Sequence, residues 1–339
     1  MAKVFLTEPI NNKGLDLLIE HGFEIVNGTA IDEESVCREA KDCDGILTRN
    51  AKITAKVMDS CPSLKVIAVH GVGVDIVDVK AATERKIQVT NAAESNQKSV
   101  AEYTIGLILM LAKNSAIYNS GLKAYDLKVR NTMGHNVAGR TLGIIGMGNI
   151  GTQVAQMASL GLGMKVIGYS RHISGIEQTS FGVLCGNLQE VIESADFLSL
   201  HLPGSPSTKH FIGAKELSFM KDSAYLINTG RGEVVDEKAL IEALQAGKIK
   251  GAALDVFEGN LPQKDNPLLA MDNVIVTPHT AAFTVEALER MAYQSALGIV
   301  EVLENKPLSY PVNRLHDSFE DREEVTTIMD YFRYEFNLK

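Results

Sequence analysis

Cysteine is scarce in this chain and shows no pattern. Cys37, Cys43, Cys61 and Cys185 form no CxxC pair and have no histidine at finger spacing, and a chain of 339 residues does not need staples. They read as free thiols of a reducing compartment. A charged-then-apolar leader is missing too: Met1-Ala2-Lys3 runs straight into the strand-like Val4-Phe5-Leu6, and the longest apolar runs fall well short of a membrane span. The expected location is therefore the cytoplasm, with no membrane partner. Positive charge is short as well. With 33 Lys and Arg against 42 Asp and Glu the net charge is −9, whereas binding a phosphate backbone needs clustered cations. Nucleic acid is not an expected partner. No repeat or low-complexity tract is visible, and no residue set has metal-ligand spacing.

What is present is a regular alternation. Val4-Phe5-Leu6, Phe23 to Val26, Gly45 to Thr48, Val66 to Val69 and Ile87 to Thr90 are short apolar runs. Helix-like stretches separate them, with Asn11-Asn12, Asp32 and Thr54 placed to cap. From Ser99 to Leu111 a segment apolar on most faces predicts a buried helix, read as a linker between domains. A second series follows: Thr141 to Ile145, Met164 to Tyr169, Asp196 to Leu200, Ala224 to Asn228, Gly251 to Leu254 and Val274 to Thr277. A helical stretch from Val285 to Asn305 and a charged tail from Asn313, with Glu320, Asp321, Arg322, Glu323 and Glu324, complete the chain. Length and a hydrophobic content of 45% support two cores. The fold class expected is α/β, with two doubly wound parallel-sheet domains.

The strongest local signal is Gly146-Met147-Gly148-Asn149-Ile150-Gly151, a GxGxxG turn fed by the apolar strand Leu142-Gly143-Ile144-Ile145 and followed by a helix with Val154, Ala155 and Ala158 on one face. Gly146 permits the turn, Gly148 clears space for a pyrophosphate, and Gly151 lets helix and strand pack. The helix N-terminus offers N–H groups to the phosphates. The next strand runs into Ser170-Arg171-His172, where an NAD site usually places a carboxylate. A hydroxyl, a guanidinium and an imidazole suit a 2′-phosphate instead. The expected cofactor is NADP(H), with NAD(H) as the alternative if Arg171 is only a solvated loop charge.

Three later strand ends carry chemistry of the type needed for hydride transfer to a 2-keto acid. Arg231 lies in the turn Asn228-Thr229-Gly230-Arg231-Gly232, Asp255 closes one strand, and Thr277-Pro278-His279 closes another. With His70-Gly71-Val72-Gly73-Val74-Asp75, Asn96, Ser99-Val100-Ala101-Glu102, His201-Leu202-Pro203 and Asp255-Val256-Phe257-Glu258 in the same order, the chain resembles the D-isomer-specific 2-hydroxyacid dehydrogenase family up to about Pro311. The resemblance implies a discontinuous, flavodoxin-like substrate domain, residues 1–98 and 285–339, and a Rossmann cofactor domain, residues 99–284. It also implies a homodimer formed through the cofactor domain and a small 2-keto or 2-hydroxy acid as substrate; feedback control through a regulatory domain of the kind attached to long phosphoglycerate dehydrogenases is not expected.

Residue by residue, the resemblance makes Arg231 the substrate-binding arginine and His279 the acid/base, which also borders the cofactor. Cofactor contacts fall on Gly146, Gly148, Asn149, Ile150, Gly151, Ser170, Arg171, His172, His201, Leu202, Pro203 and Thr229. Asp255 matches the residue that holds the nicotinamide carboxamide, with a loop or capping role as its alternative. Val72 and Gly73 match the loop whose amides take the substrate carboxylate. Arg49 and Asn50 lie where relatives touch substrate, although Asn50 serves equally well as an ordinary loop residue. In one place the pattern departs. Relatives read Asp-Val-Phe-Glu-x-Glu-Pro and pair the second glutamate with the histidine, whereas Asn260 stands there in this chain. An amide orients His279 without stabilising its charge, so keto-acid reduction with a lower pH optimum is expected. A formate-dehydrogenase-like reaction is one alternative, and a nicotinamide-sensing binding protein of the corepressor type is the other.

Overall fold

A computed structural model describes residues 1–172 and 175–315; the charged tail beyond Leu315 lies outside the described residues. Backbone contacts divide the chain into two compact units, one formed by Met1–Asn96 with the described residues from Thr284 onward, the other by Gln97–Phe283.

In the first unit, β1 (Lys3–Leu6), α1 (Asn12–Glu20), β2 (Glu24–Asn27), α2 (Glu33–Glu39), β3 (Gly45–Thr48), α3 (Ala55–Ser60), β4 (Val66–Val69), α4 (Val79–Glu84) and β5 (Gln88–Thr90) follow one another. All strand pairs are parallel, in the order β2-β1-β3-β4-β5, which is the flavodoxin-like order. The helix starts lie where the sequence puts them: the side chains of Asn11, Asp32 and Thr54 accept from the N–H groups of Lys13, Ser35 and Val57. Alternate strand residues bury opposite faces. Phe5, Ile46 and Ile67 pack with Val57 and Val89 in one cluster, and Val4, Leu6, Leu47 and Val66 in another.

The second unit begins with α5 (Gln97–Ala112) and α6 (Ser115–Lys123). It continues through β6 (Thr141–Ile145), α7 (Asn149–Gln156), β7 (Lys165–Tyr169), β8 (Ile176–Thr179), β9 (Gly182–Cys185), α8 (Leu188–Ser194), β10 (Phe197–Leu200), α9 (Ala214–Phe219), β11 (Tyr225–Asn228), α10 (Glu237–Gln245), β12 (Gly251–Leu254) and β13 (Val274–Val276). The sheet order is β13-β12-β11-β10-β6-β7-β9-β8, and only the β8–β9 pair is antiparallel.

The sequence gives six strands for this unit, but among the described residues eight are found. β9 takes the third-strand place beside β7 that a dinucleotide fold requires. β9, Gly-Val-Leu-Cys, is apolar but its first two residues are only half buried, and its edge partner β8, Ile-Glu-Gln-Thr, is polar and half exposed, so neither stands out as a buried run. Helix α5 is likewise not a free linker. It buries Val100, Ala101, Thr104, Leu107, Ile108 and Leu111 within this unit, against α7, β11 and β12, and leaves Met110 exposed.

The chain returns to the first unit as α11 (Val285–Leu303), capped by Thr284 and packed on α1 and β4. A Cβ on Gly14 would stand 2.4 Å from the Ala292 carbonyl oxygen, so the α1–α11 approach requires glycine there. Among the described residues, no single helix is long and apolar enough to cross a membrane.

Candidate active site

At the C-terminal end of β6, Gly146 has φ +101°, and a Cβ there would lie 2.5 Å from the His201 carbonyl oxygen. A Cβ on Gly151 would lie 2.1 Å from the Gly146 oxygen, so the start of α7 sits directly on the turn. Gly148 is different. Nothing comes within 4 Å of its missing Cβ, and as the residue before α7 it offers no side-chain cap to the helix. Gly148 and Asn149 are exposed, so the uncapped start of α7 opens to solvent, an arrangement that takes a pyrophosphate. Two tight glycines and one open glycine are what a dinucleotide cradle requires.

Ser170, Arg171 and His172 follow β7, with Arg171 Nε 3.5 Å from His172 Nε2 and the His172 N–H directed to Ser170 Oγ at 3.4 Å. No carboxylate stands among the three. At the end of β10, His201 Nε2 is 2.9 Å from Ser199 Oγ, and burial pushes its pKa down to about 4. Leu202 and Pro203 continue this loop beside the glycine turn. Thr229 is buried, with Oγ1 2.9 Å from Thr104 Oγ1.

Arg231 is held by a residue that the sequence reading passed over. Asn228, only 1% exposed, accepts from the Gly230 N–H at 3.0 Å and donates to the Arg231 carbonyl at 2.9 Å. It stitches the turn on both sides; an amide just ahead of Thr-Gly-Arg-Gly was the available signal. Gly232 admits no side chain, because its Cβ would lie 1.8 Å from the Phe257 oxygen. The arginine turn is thus seated directly on the loop that carries Asn260.

Asp255 is completely buried. Its Oδ1 accepts from Thr277 Oγ1 at 2.6 Å and from the Thr280 N–H at 2.9 Å, and its Oδ2 from the Ala281 N–H at 2.9 Å. The His279 N–H donates to the Asp255 carbonyl at 2.8 Å. Asp255 thus fixes a turn in which His279 is held at φ +54°.

The imidazole then meets Asn260, with Nδ1 2.5 Å from Asn260 Oδ1. An amide oxygen only accepts, so Nδ1 carries the proton and Nε2 is the nitrogen free to gain or lose one. Burial, and next the Arg231 guanidinium, hold the His279 pKa below its ordinary value, opposed by Asp255. Asn260 itself has φ +79° and follows Gly259 at φ +75°; asparagine tolerates that backbone better than glutamate does.

A brace behind this loop was not legible in the sequence. The Glu258 N–H donates to Glu237 Oε2 at 3.1 Å, the Glu237 N–H donates to Glu258 Oε1 at 3.2 Å, and His210 Nε2 is 2.9 Å from the same Glu258 oxygen. Among the described residues, no group of three or more His, Cys, Asp and Glu could hold a metal ion.

The first unit places its own candidates at the ends of β1, β3 and β4. Asn50 donates to Glu8 through both its backbone N–H, at 2.8 Å, and its side-chain amide, at 2.7 Å. The Val72 carbonyl accepts from Asn91 Nδ2 at 2.7 Å.

Residues 105–281 match the family described as D-isomer specific 2-hydroxyacid dehydrogenase, NAD binding domain. The D-3-phosphoglycerate dehydrogenase of Methanocaldococcus jannaschii is 42% identical over 315 residues, covering 92% of this chain and 60% of that protein. This chain therefore spans about three fifths of the length of that relative. The glyoxylate reductase of Korarchaeum cryptofilum is 37% identical, over 88% of this chain and 92% of its own length. A solved structure of an NADPH-dependent glyoxylate/hydroxypyruvate reductase from Sinorhizobium meliloti, in complex with NADP and malonate, superposes with a TM-score of 0.82 at 32% identity, covering 95% of this chain and 99% of that one.

Proposed function

Because the chain belongs to the D-isomer-specific 2-hydroxyacid dehydrogenase family, we propose that it transfers a hydride between a nicotinamide dinucleotide and a small 2-keto or 2-hydroxy acid. The observation that carries this reading is the His279–Asn260 contact in the field of Arg231. It is a proton donor with a fixed tautomer beside a cation for the substrate carboxylate.

In reduction, Arg231 binds the substrate carboxylate and polarises the carbonyl oxygen, and His279 Nε2 gives that oxygen a proton. The amides of Val72 and Gly73 and the side chain of Arg49 are assigned to the substrate. When bound, the dihydronicotinamide supplies the hydride. Gly146, Gly148, Asn149, Ile150, Gly151, His201, Leu202, Pro203 and Thr229 would hold the dinucleotide. Asn260 keeps Nδ1 protonated without stabilising the imidazolium, so the acid form of His279 prevails at lower pH than a carboxylate partner would allow. Reduction then has its optimum on the acid side, and alcohol oxidation, which needs neutral imidazole, persists to lower pH.

We assign NADP(H) as the preferred cofactor, since Ser170, Arg171 and His172 supply donors and no carboxylate at the end of β7. NAD(H) is the weaker alternative. A homodimer through the second unit is supported by an apolar surface on and after α6, where Leu122 is 63%, Tyr125 81%, Leu127 51% and Met133 82% exposed. Four free thiols suit the cytoplasm.

A steady-state screen of glyoxylate, hydroxypyruvate, pyruvate and bulkier keto acids, with NADH and NADPH, tests the reading. Turnover of a 2-keto acid with higher kcat/KM for NADPH is the expected result. Cofactor binding without turnover would support the sensor alternative, and a clear NADH preference would refute the cofactor assignment.

A further inference from the structure

The first unit carries a charge arrangement that bears on the substrate. Glu8 follows β1 and is fixed by Asn50, whose backbone and side-chain N–H groups occupy its two carboxylate oxygens. Arg49, the preceding residue, donates its backbone N–H to Thr7 Oγ1 at 3.3 Å, so the ends of β1 and β3 are tied together. His70 closes β4 beside them. The charges acting on His70 are one guanidinium, Arg49, and one carboxylate, Glu8. His70 is 7% exposed and its Nε2 has no hydrogen-bond partner among the described residues. Gly71, Val72 and Gly73, the loop assigned to the substrate carboxylate, follow directly.

A phosphate monoester carries a charge of about −1.5 to −2 near neutral pH, and proteins that bind one supply clustered arginines, lysines or helix N-termini. Here the Arg49 guanidinium and the Glu8 carboxylate act on His70 in opposite senses, and Glu8 is held in place by Asn50, the residue after Arg49. Burial, then Arg49, push the pKa of His70 down to about 4. Its ring is therefore neutral in the working range and adds no cation. A neutral imidazole with an unmet nitrogen suits a hydroxyl and not a phosphate.

Resting on the hydride-transfer reading above, we propose that Glu8 makes this end of the first unit reject an anionic group on C3, so that the substrate is a 2-keto acid whose C3 substituent is uncharged. This runs against the simplest extrapolation from the phosphoglycerate dehydrogenases that the chain resembles in sequence.

Hydroxypyruvate and its 3-phosphate differ only in that group. Their kcat/KM values, measured with NADPH and with NADH, are expected to favour the unphosphorylated acid by at least about ten-fold, roughly 1.4 kcal/mol. Glu8→Gln is expected to narrow that ratio several-fold. Raising salt to about 0.5 M narrows it in the wild type, because the repulsion is electrostatic; a purely steric exclusion would not respond to salt. Equal or better turnover of the phosphate ester overturns the proposal while leaving the hydride-transfer reading intact. An unchanged ratio in a folded Glu8→Gln protein removes Glu8 as its source, and if that variant does not fold, the wild-type ratio and its salt response decide. Failure to reduce either acid with either cofactor refutes the underlying reading, and this inference with it.

Discussion

Replacing Asn260 with glutamate restores the charge that this chain lacks, and its consequence can be worked out from the geometry. In the native loop, Asn260 Oδ1 lies 2.5 Å from His279 Nδ1, so a carboxylate built there would place its charge about 4 Å from the imidazolium centre. At an effective dielectric near 20 the attraction is about 4 kcal/mol, which corresponds to about three pH units. Solvent reaches the half-buried ring, and the burial and the Arg231 guanidinium that lower the native pKa remain. A rise of about one to two units is the reasonable expectation. The cost is conformational: glutamate at φ +79° gives up about 1 kcal/mol of stability.

The assay is kcat/KM for keto-acid reduction against pH. Its falling limb marks deprotonation of His279 and is expected below the ordinary histidine value in the wild type. In Asn260→Glu the limb moves to higher pH by about one to two units. Asn260→Asp, which tolerates the left-handed backbone but is shaped like the native amide, should move it in the same direction. A limb that stays in place in a folded Asn260→Glu protein would refute both the role of Asn260 and the assignment of Nε2 as the proton donor.

Three other outcomes follow from the same structure. Gly148→Ala should unfold at the wild-type temperature yet bind NADPH at least about ten-fold more weakly by fluorescence titration, because its Cβ meets only open space in the protein; Gly151→Ala, with 2.1 Å to the Gly146 oxygen, should lose about 1–3 kcal/mol of stability. Arg231→Ala should cost at least about a hundred-fold in kcat/KM, about 3 kcal/mol, with Arg231→Lys recovering part of it as a point charge without the planar fork. Finally, His70 has a folded-state pKa of about 4 against an ordinary 6.5; the unfolded chain takes up the proton first, so its contribution is fully present above 6.5 and is lost as pH falls towards 4, by about 3 kcal/mol in all. Urea midpoints at neutral pH and near pH 4.5 should converge in His70→Asn relative to wild type, and parallel pH dependence in the two proteins would refute the burial argument.

Much of this architecture was legible before any coordinates. Asn11, Asp32 and Thr54 announced helix starts by local chemistry alone, since a side-chain oxygen two or three residues ahead of an orphan N–H needs no tertiary help. The central strands were visible because a parallel sheet buried on both faces demands continuous apolar runs. The hairpin β8–β9 was not: β8 is an edge strand, selected for pairing and solvent contact, and its polar residues carry no such run, while β9 beside it is only partly buried. The substitution of Asn260 for the glutamate of relatives could be counted in sequence, but its contact with His279 closes over nineteen residues and had to be found in space.

By itself, then, the sequence determined the alternation of strands and helices, the glycine turn with its open middle position, and the identities of Arg231 and His279, because each rests on residue type and near-neighbour spacing. Tertiary structure decided what those residues can do. It buried Asp255 inside the turn that holds His279, stitched Arg231 through Asn228, braced the Asn260 loop through Glu237 and Glu258, and tied Glu8 to Asn50. Each of these depends on segments far apart in the chain meeting within hydrogen-bond range, which packing specifies and local propensity does not.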